Sequence, residues 1–246
     1  MTTKAAIVTG ASSGIGKAIA LKLAEAGYSV LAAGRDPART ERLARKHVAI
    51  RGWTGDLTSP RACSKLIEAC VDAFGRLDVL VNNAGIYEAA DCESTTDELW
   101  ADTLAVNLSA PFYLSRTAIP LLKQTHGVIL NIASDWGLQG GREAVAYCAS
   151  KGGLVLMSKA MAIDHASEKV RVNAICPGDV ETPMLYAEGA ARGLAPTDAL
   201  LAAAELSPTG RVTGADEVAA LVVFLASDAA AQITGAAIPI DGGNTA

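Results

Sequence analysis

Short apolar runs alternate along this chain with longer stretches in which apolar side chains return every three or four residues. The first run, Ala5-Ala6-Ile7-Val8-Thr9, is strand-length and leads through a glycine-rich turn into a stretch, Ile15 to Ala26, with apolar positions at helical spacing. Continued along the chain, the pattern predicts strands over residues 4–9, 29–34, 48–52, 78–82, 127–132, 170–175 and 236–240. Helices are predicted over 15–27, 38–46, 60–74, 97–123, 147–166 and 215–226. Such alternation specifies a doubly wound parallel α/β sheet with helices on both faces. Right-handed crossovers bring the strand ends carrying Gly10, Asn82, Ser134 and Pro177 to one edge, where open sheets of this kind bind ligands.

The turn Gly10-Ala11-Ser12-Ser13-Gly14-Ile15-Gly16 joins a strand to a helix. Glycines there let the backbone turn sharply and approach a pyrophosphate, whose charge is met by free N–H groups and the positive end of the helix dipole. The spacing G-x-x-x-G-x-G differs from the G-x-G-x-x-G fingerprint, but its strand-to-helix setting keeps the phosphate-loop reading. A glycine-rich hairpin would instead return as an alternating strand.

Tyr147 and Lys151 stand four apart in Tyr147-Cys148-Ala149-Ser150-Lys151. On a helix they share a face, so the ammonium lies beside the phenol. A neighbouring cation is expected to lower the phenol pKa from its usual value of about 10, toward proton exchange with an alcohol or ketone. Ser134, upstream, is expected to hydrogen-bond the same substrate oxygen.

These features, with Thr9-Gly10, Asn82-Asn83-Ala84-Gly85 after Val79-Leu80-Val81, Asn107, Pro177-Gly178, and Thr234-Gly235 through Asp241-Gly242-Gly243, resemble the short-chain dehydrogenase/reductase family over essentially the whole chain. The resemblance implies one Rossmann-fold catalytic domain over residues 1–246, with a substrate-covering loop and short helices near 181–214. It also implies a catalytic tetrad of Asn107, Ser134, Tyr147 and Lys151. Lys151 would hold the nicotinamide ribose, and Asn107 would hold a water linking Lys151 to solvent. Gly10, Ser12, Ser13, Gly14, Ile15 and Gly16 would form the pyrophosphate turn. Asp56 and Leu57 would contact adenine, although Asp56 also reads as a cap for the helix near Pro60. Asn82, Asn83, Ala84 and Gly85 would line the adenosine ribose, and Val180 and Thr182, after Pro177-Gly178, would meet the carboxamide.

At the end of the second strand, where NAD-preferring relatives carry a carboxylate, this chain has Gly34 and then Arg35. Arg35 offers a charged fork to a 2'-phosphate, which favours NADP(H). Asp36 could neutralise it and Ser13 stands where a second basic residue often sits, so NAD(H) stays open. Exchanging Arg35 for Ala, or Gly34 for Asp, is expected to shift preference toward NAD(H).

Composition narrows the remaining classes. Half the residues are hydrophobic, the net charge is −5, and there is no basic run or apolar span, which argues against nucleic acid or a membrane crossing. Met1-Thr2-Thr3-Lys4 leads straight into a strand, without the pattern of a secretory signal. Cys63, Cys70, Cys92, Cys148 and Cys176 are odd in number and lack C-x-x-C spacing, which fits a reducing cytoplasm and suggests neither a disulfide set nor a metal site.

The substrate pocket is expected to involve Ser134, Asp135, Trp136, Tyr147, Tyr87, Val180, Met184 and Tyr186, a mixed surface suited to a small ketone or alcohol. A 3-oxoacyl carrier-protein reductase is an alternative, disfavoured by the weakly basic stretches 123–128 and 168–171. A non-catalytic dinucleotide sensor is a further alternative, but it would not need the proton-transfer residues. Apolar helices at 101–122 and 147–162 and the closing strand point, with the resemblance, to a homotetramer.

Overall fold

The computed structural model describes residues 3–246, so the expectation for Met1 and Thr2 lies outside the described residues. Seven parallel strands form one sheet in the order β3-β2-β1-β4-β5-β6-β7. They are β1 (Ala5–Thr9), β2 (Ser29–Gly34), β3 (Ile50–Thr54), β4 (Val79–Asn82), β5 (Val128–Ile132), β6 (Arg171–Pro177) and β7 (Ala237–Ile240). The helices are α1 (Gly14–Glu25), α2 (Pro37–Ala44), α3 (Pro60–Phe74), α4 (Asp97–Leu104), α5 (Ala110–Thr125), α6 (Val145–His165), α7 (Pro183–Ala191), α8 (Pro196–Leu206) and α9 (Ala215–Ala226).

Strand periodicity explains the layers. Ala6, Val8, Val30 and Ala32 face Ile19 and Leu23 of α1 and Val218 and Val222 of α9. The alternate residues Ala5, Ile7, Leu31 and Ala33 face Leu66 and Ile67 of α3 and Leu114 and Leu122 of α5. Both faces of the central strands are therefore buried, which is why they read as unbroken apolar runs. Thr96 opens α4 by accepting from Leu99 N at 3.1 Å, and left-handed Gly75 and His126 close α3 and α5.

Two elements differ from the sequence expectation, and the region 181–214 carries the short helices expected of it. β3 begins at Ile50 rather than residue 48, because this edge strand follows backbone pairing with β2, from Val30 opposite Ile50 to Gly34 opposite Thr54. Val48, the first residue of the expected strand, is 99% exposed. The helix expected over 97–123 is interrupted by a π-turn at Ala105–Ser109. Pro111 lacks an N–H, so the ordinary bond to the carbonyl four residues back cannot form, and the wider turn rotates Asn107 into the interior. In region 181–214 the two helices, α7 and α8, pack closely where Gly189 leaves no room for a side chain against Ala199.

Candidate active site

The carboxyl edge of the sheet opens into a cleft of about 740 Å³, bordered at one end by the β1–α1 turn and at the other by α7 and the segment after β7. Gly10 and Gly14 adopt positive φ of 63° and 50°. A side chain on Gly10 would come within 2.8 Å of the Asn83 amide and 2.9 Å of Ala84 Cα, while one on Gly16 would collide with Asn83 and the Gly10 carbonyl. Thr9 Oγ1 accepts from Asn83 N at 2.9 Å and Ala84 N at 3.0 Å, and Asn83 Nδ2 donates to Thr9 O at 2.9 Å. The turn and the Asn82–Gly85 segment thus form one hydrogen-bonded unit.

Ser13 precedes α1 without making a side-chain cap, and the first turn of that helix has no acidic residue. Its N–H groups are left for an anion. This cradle, kept open by missing side chains, fits the pyrophosphate of a dinucleotide. Gly10, Ser12, Ser13, Gly14, Ile15, Arg35, Asp56, Leu57, Asn83, Ala84, Gly85, Pro177, Gly178, Val180 and Thr182 all line the cleft. Gly16 lies just behind it, as packing rather than lining.

Two details clarify the adenosine end. Asp36 does not pair with Arg35: it caps α2, accepting from Arg39 N at 3.1 Å, and its other oxygen lies 3.3 Å from Arg39 Nε. Arg39 lines the same end of the cleft, a second cation that the sequence reading missed. Asp56 caps a turn by accepting from Thr58 N at 3.0 Å, whereas Ser59 occupies the N-cap of α3. The expected helix cap at Asp56 is therefore replaced by a local turn.

Ser134, Tyr147 and Lys151 meet in the cleft. Ser134 follows β5, and Tyr147 and Lys151 lie one turn apart on α6. Tyr87, Trp136 and Tyr147 form an edge-to-face aromatic wall, with centroids 5.1 Å apart for Tyr87–Tyr147, 5.6 Å for Tyr87–Trp136 and 6.2 Å for Trp136–Tyr147. Lys151 Nζ donates to Ile132 O at 2.8 Å and lies 5.6 Å from the Tyr147 ring centre.

The electrostatics correct the simple expectation of a lowered Tyr147 pKa. Enclosure of the phenol dominates and pushes its pKa well above the ordinary value, partly opposed by the hydrogen bond with Ser134 and reinforced by the Asp135 charge. Burial pushes Lys151 down to about 8. The charged forms of both groups thus lose more by leaving water than their surroundings return.

Asn107 is buried behind the cleft. Its Oδ1 accepts from Ile86 N at 2.9 Å, and its Nδ2 donates to Ile86 O at 2.9 Å and Ser150 Oγ at 3.1 Å. Ser150 in turn donates to Tyr147 O at 2.8 Å. The amide thus braces α6, a role the water-holding expectation did not include. Gly85 keeps the space between Asn107 Oδ1 and Lys151 Nζ clear, each lying 3.4 Å from the position a Cβ would take.

Of the residues expected around substrate, Tyr87, Asp135, Trp136, Val180 and Met184 line the cleft. Tyr186 does not: its hydroxyl donates to Glu181 at 2.8 Å, because the α7 turn carries it to the outer side. Asp179 and Glu188, absent from the sequence reading, line the cleft as well. Asp179 keeps part of its surface in water, yet partial burial, then the charges of Glu188 and Asp135, push its carboxyl up to about 6. Asn244, Gln139 and Arg142 also line it, and no local motif signals them.

Known proteins bear on this geometry. A family model described as enoyl-(acyl carrier protein) reductase matches residues 10–245. D-threitol dehydrogenase from Mycolicibacterium smegmatis is 41% identical, covering 98% of this chain and 93% of that protein. A 3-oxoacyl-(acyl-carrier-protein) reductase from Thermotoga maritima is 36% identical, covering 98% and 97%. A variant of actinorhodin polyketide ketoreductase, solved with NADPH, superposes with a TM-score of 0.94 at 33% identity, covering 99% of each chain. The chain belongs to the short-chain dehydrogenase/reductase family, and is an oxidoreductase acting on CH–OH or C=O groups with a nicotinamide dinucleotide.

Proposed function

We propose that this short-chain dehydrogenase/reductase interconverts a small, uncharged secondary alcohol and its ketone, using NADP(H) in preference to NAD(H). The observation that carries the reading is the meeting of Ser134, Tyr147 and Lys151 at one point of a cleft whose other end is a pyrophosphate cradle. When bound, the nicotinamide supplies or accepts the hydride. Tyr147 holds the exchanged proton at its phenolic oxygen, and its raised pKa keeps it a proton donor near neutral pH. Ser134 steadies the substrate oxygen, Lys151 gives the site a cation beside the phenol, and Asn107 holds α6 in register through Ser150. Lys151 also holds the nicotinamide ribose.

The hydroxyls of Ser12 and Ser13 and the backbone N–H groups from Ser12 to Ile15 would hold the pyrophosphate, Asp56 and Leu57 the adenine, Asn83, Ala84 and Gly85 the adenosine ribose, and Val180 and Thr182 the carboxamide. Arg35 meets the 2'-phosphate. Its charge is available because Asp36 is engaged with α2 and Arg39. Gly34 has no room for the alternative carboxylate, since a Cβ would stand 2.8 Å from buried Thr40 Oγ1. The NADPH in the ketoreductase structure agrees with this preference.

Carboxylates of Asp135, Asp179 and Glu188 at the substrate end disfavour an anionic substrate. A 3-oxoacyl carrier-protein reductase is the second reading, favoured by the similarity to the Thermotoga maritima enzyme. Lys123, in the stretch considered for docking, is already paired with Glu168. We place the whole chain in one catalytic domain with 181–214 covering substrate, in the reducing cytoplasm that the cysteine pattern suits. Exposed Phe112, Leu156 and Ile163 on α5 and α6, and Phe224 on α9, support two apolar interfaces and a homotetramer. Light scattering showing a monomer at micromolar concentration would refute that assembly.

The decisive assay follows reduced-nicotinamide absorbance with both cofactors and a panel of alcohols, ketones and 3-oxoacyl thioesters. Turnover of an uncharged alcohol or ketone is expected, and Tyr147→Phe should cost about 10² to 10⁴ in rate with dinucleotide affinity unchanged. Preferred turnover of the thioester selects the second reading, and a fully active Tyr147→Phe removes the proton-transfer assignment.

A further inference from the structure

Two arginines line the adenosine end of the cleft, and only Arg35 has a role in the reading above. Arg39 lies in the first turn of α2. An exposed arginine at such a position would ordinarily sweep through solvent, but here Asp36 holds it. One Asp36 oxygen accepts from Arg39 N at 3.1 Å, and the other lies 3.3 Å from Arg39 Nε. The turn beneath is fixed in its own right, because Thr40 N and Thr40 Oγ1 both donate to Asp36 O, at 3.0 and 2.7 Å.

A guanidinium donates from Nε and from its terminal amino groups. With Nε turned to Asp36, the terminal groups of Arg39 are left over, and among the described residues no acceptor takes them. Both Asp36 oxygens are in turn directed at Arg39, so this carboxylate is not placed as the ribose-hydroxyl acceptor that an NAD site uses. The pair is not a stability device either: the side chains are 61% and 48% exposed, and ion pairs in water add little to folding. A phosphate that faces water is held poorly by one cation, since salt screens a lone exposed charge. Ser13 brings no charge to the pyrophosphate turn and Lys17 of α1 does not line the cleft, so α2 is the element that offers a second cation. We propose that Arg39 is a specificity-determining residue that acts with Arg35, its pre-oriented terminal groups binding the 2'-phosphate of NADP(H). The inference rests on the NADP(H) reading above and adds to it a contact from α2 that the residues after β2 do not themselves supply.

The test measures binding to the full chain by fluorescence titration with NADPH and NADH, which differ only in the 2'-phosphate, so it needs neither turnover nor a known substrate. The unaltered protein should bind NADPH at least about tenfold more tightly, as charge-assisted contacts to phosphate imply. Arg39→Gln should weaken NADPH about three- to tenfold and NADH less than twofold. Arg39→Glu, which sets a carboxylate against the phosphate, should weaken NADPH by more than about tenfold. Added salt should erode NADPH binding less steeply in Arg39→Gln than in the unaltered protein, because one screened contact is gone. Thermal unfolding should move little in either variant. Unchanged NADPH affinity in Arg39→Gln, when Arg35→Ala does lower it, would overturn the inference and leave the NADP(H) reading standing. Equal weakening of both dinucleotides would overturn it as well, since the effect would then not concern the 2'-phosphate. Equal affinity of the unaltered protein for NADPH and NADH would remove the NADP(H) reading and this inference with it.

Discussion

At the end of the cleft proposed for the dinucleotide the surface is made of backbone and of side chains that are missing, whereas at the end proposed for substrate it is made of side chains from elements far apart in sequence. Gly10, Gly14 and Gly16 are defined by what cannot be added to them, and Thr9 and Asn83 bind the two loops together through main-chain groups. The opposite end joins Tyr87, Trp136, Asp179, Met184, Glu188 and Asn244. Such a cradle admits little change in sequence, because a side chain on Gly10 or Gly16 meets the Asn83 amide and neighbouring backbone, and one on Gly14 is strained by its positive φ and crowds Thr182. A side-chain wall can be repopulated without disturbing the sheet beneath it, so substrate choice can vary while cofactor binding is kept.

The largest effect should come from closing the cradle. Gly16→Ala drives a methyl group into Asn83 and the Gly10 carbonyl, so NADPH affinity should fall by about a hundredfold or more, the outcome expected when phosphate and backbone no longer approach. Fluorescence titration measures this, and near-normal affinity would mean that the turn is softer than its contacts imply.

A smaller loss is expected from Arg35→Ala, which removes one charge-assisted contact of roughly 1.5 to 3 kcal/mol. The NADP(H) kcat/KM should drop about tenfold or more while that for NAD(H) holds. Gly34→Asp, the other exchange suggested by the sequence, is the poorer test, since its side chain would first have to displace buried Thr40, whose hydroxyl donates to Asp36 O at 2.7 Å. Equal use of both cofactors by the unaltered protein would break the argument.

The smallest effect belongs to the substrate end and is one of pH. Asp179 has its carboxyl raised to about 6, so folding favours its protonated form. Its contribution to stability is present below the ordinary carboxylate pKa of about 4 and is lost as pH rises through about 6. Asp179→Asn should therefore raise Tm at pH 7 but not at pH 4. Partial solvent contact screens the charge, which limits the gain to under about 1 kcal/mol, or roughly 2 °C. Calorimetry at the two pH values checks both sign and window, and an equal rise at both would assign the effect to something other than titration.

Sequence periodicity carried the strands and most helices because burial on both sheet faces leaves a strong apolar signal, as in Ala5–Thr9 and Val79–Asn82. The edge strand β3 was displaced because its residues are set by pairing more than by burial. The pyrophosphate turn and the Tyr147–Lys151 pair were legible because each depends on contacts within a few residues. By contrast, Arg39 and Asp179 carried no pattern that distinguishes a cleft residue from an ordinary surface charge.

The sequence by itself determined the alternating elements, the glycine positions and the helical pairing of the groups proposed for proton transfer, since local sterics and helical spacing act over short distances. Tertiary structure decided how those groups are tuned. Enclosure by Tyr87 and Trp136 raises the Tyr147 pKa against the pull expected from Lys151, and the π-turn brings Asn107 to Ile86 and Ser150. It also joins Asn244 to Asp135 across 109 positions of chain. Desolvation and long-range hydrogen bonding depend on what surrounds a group in space, and no spacing along the chain encodes that surrounding.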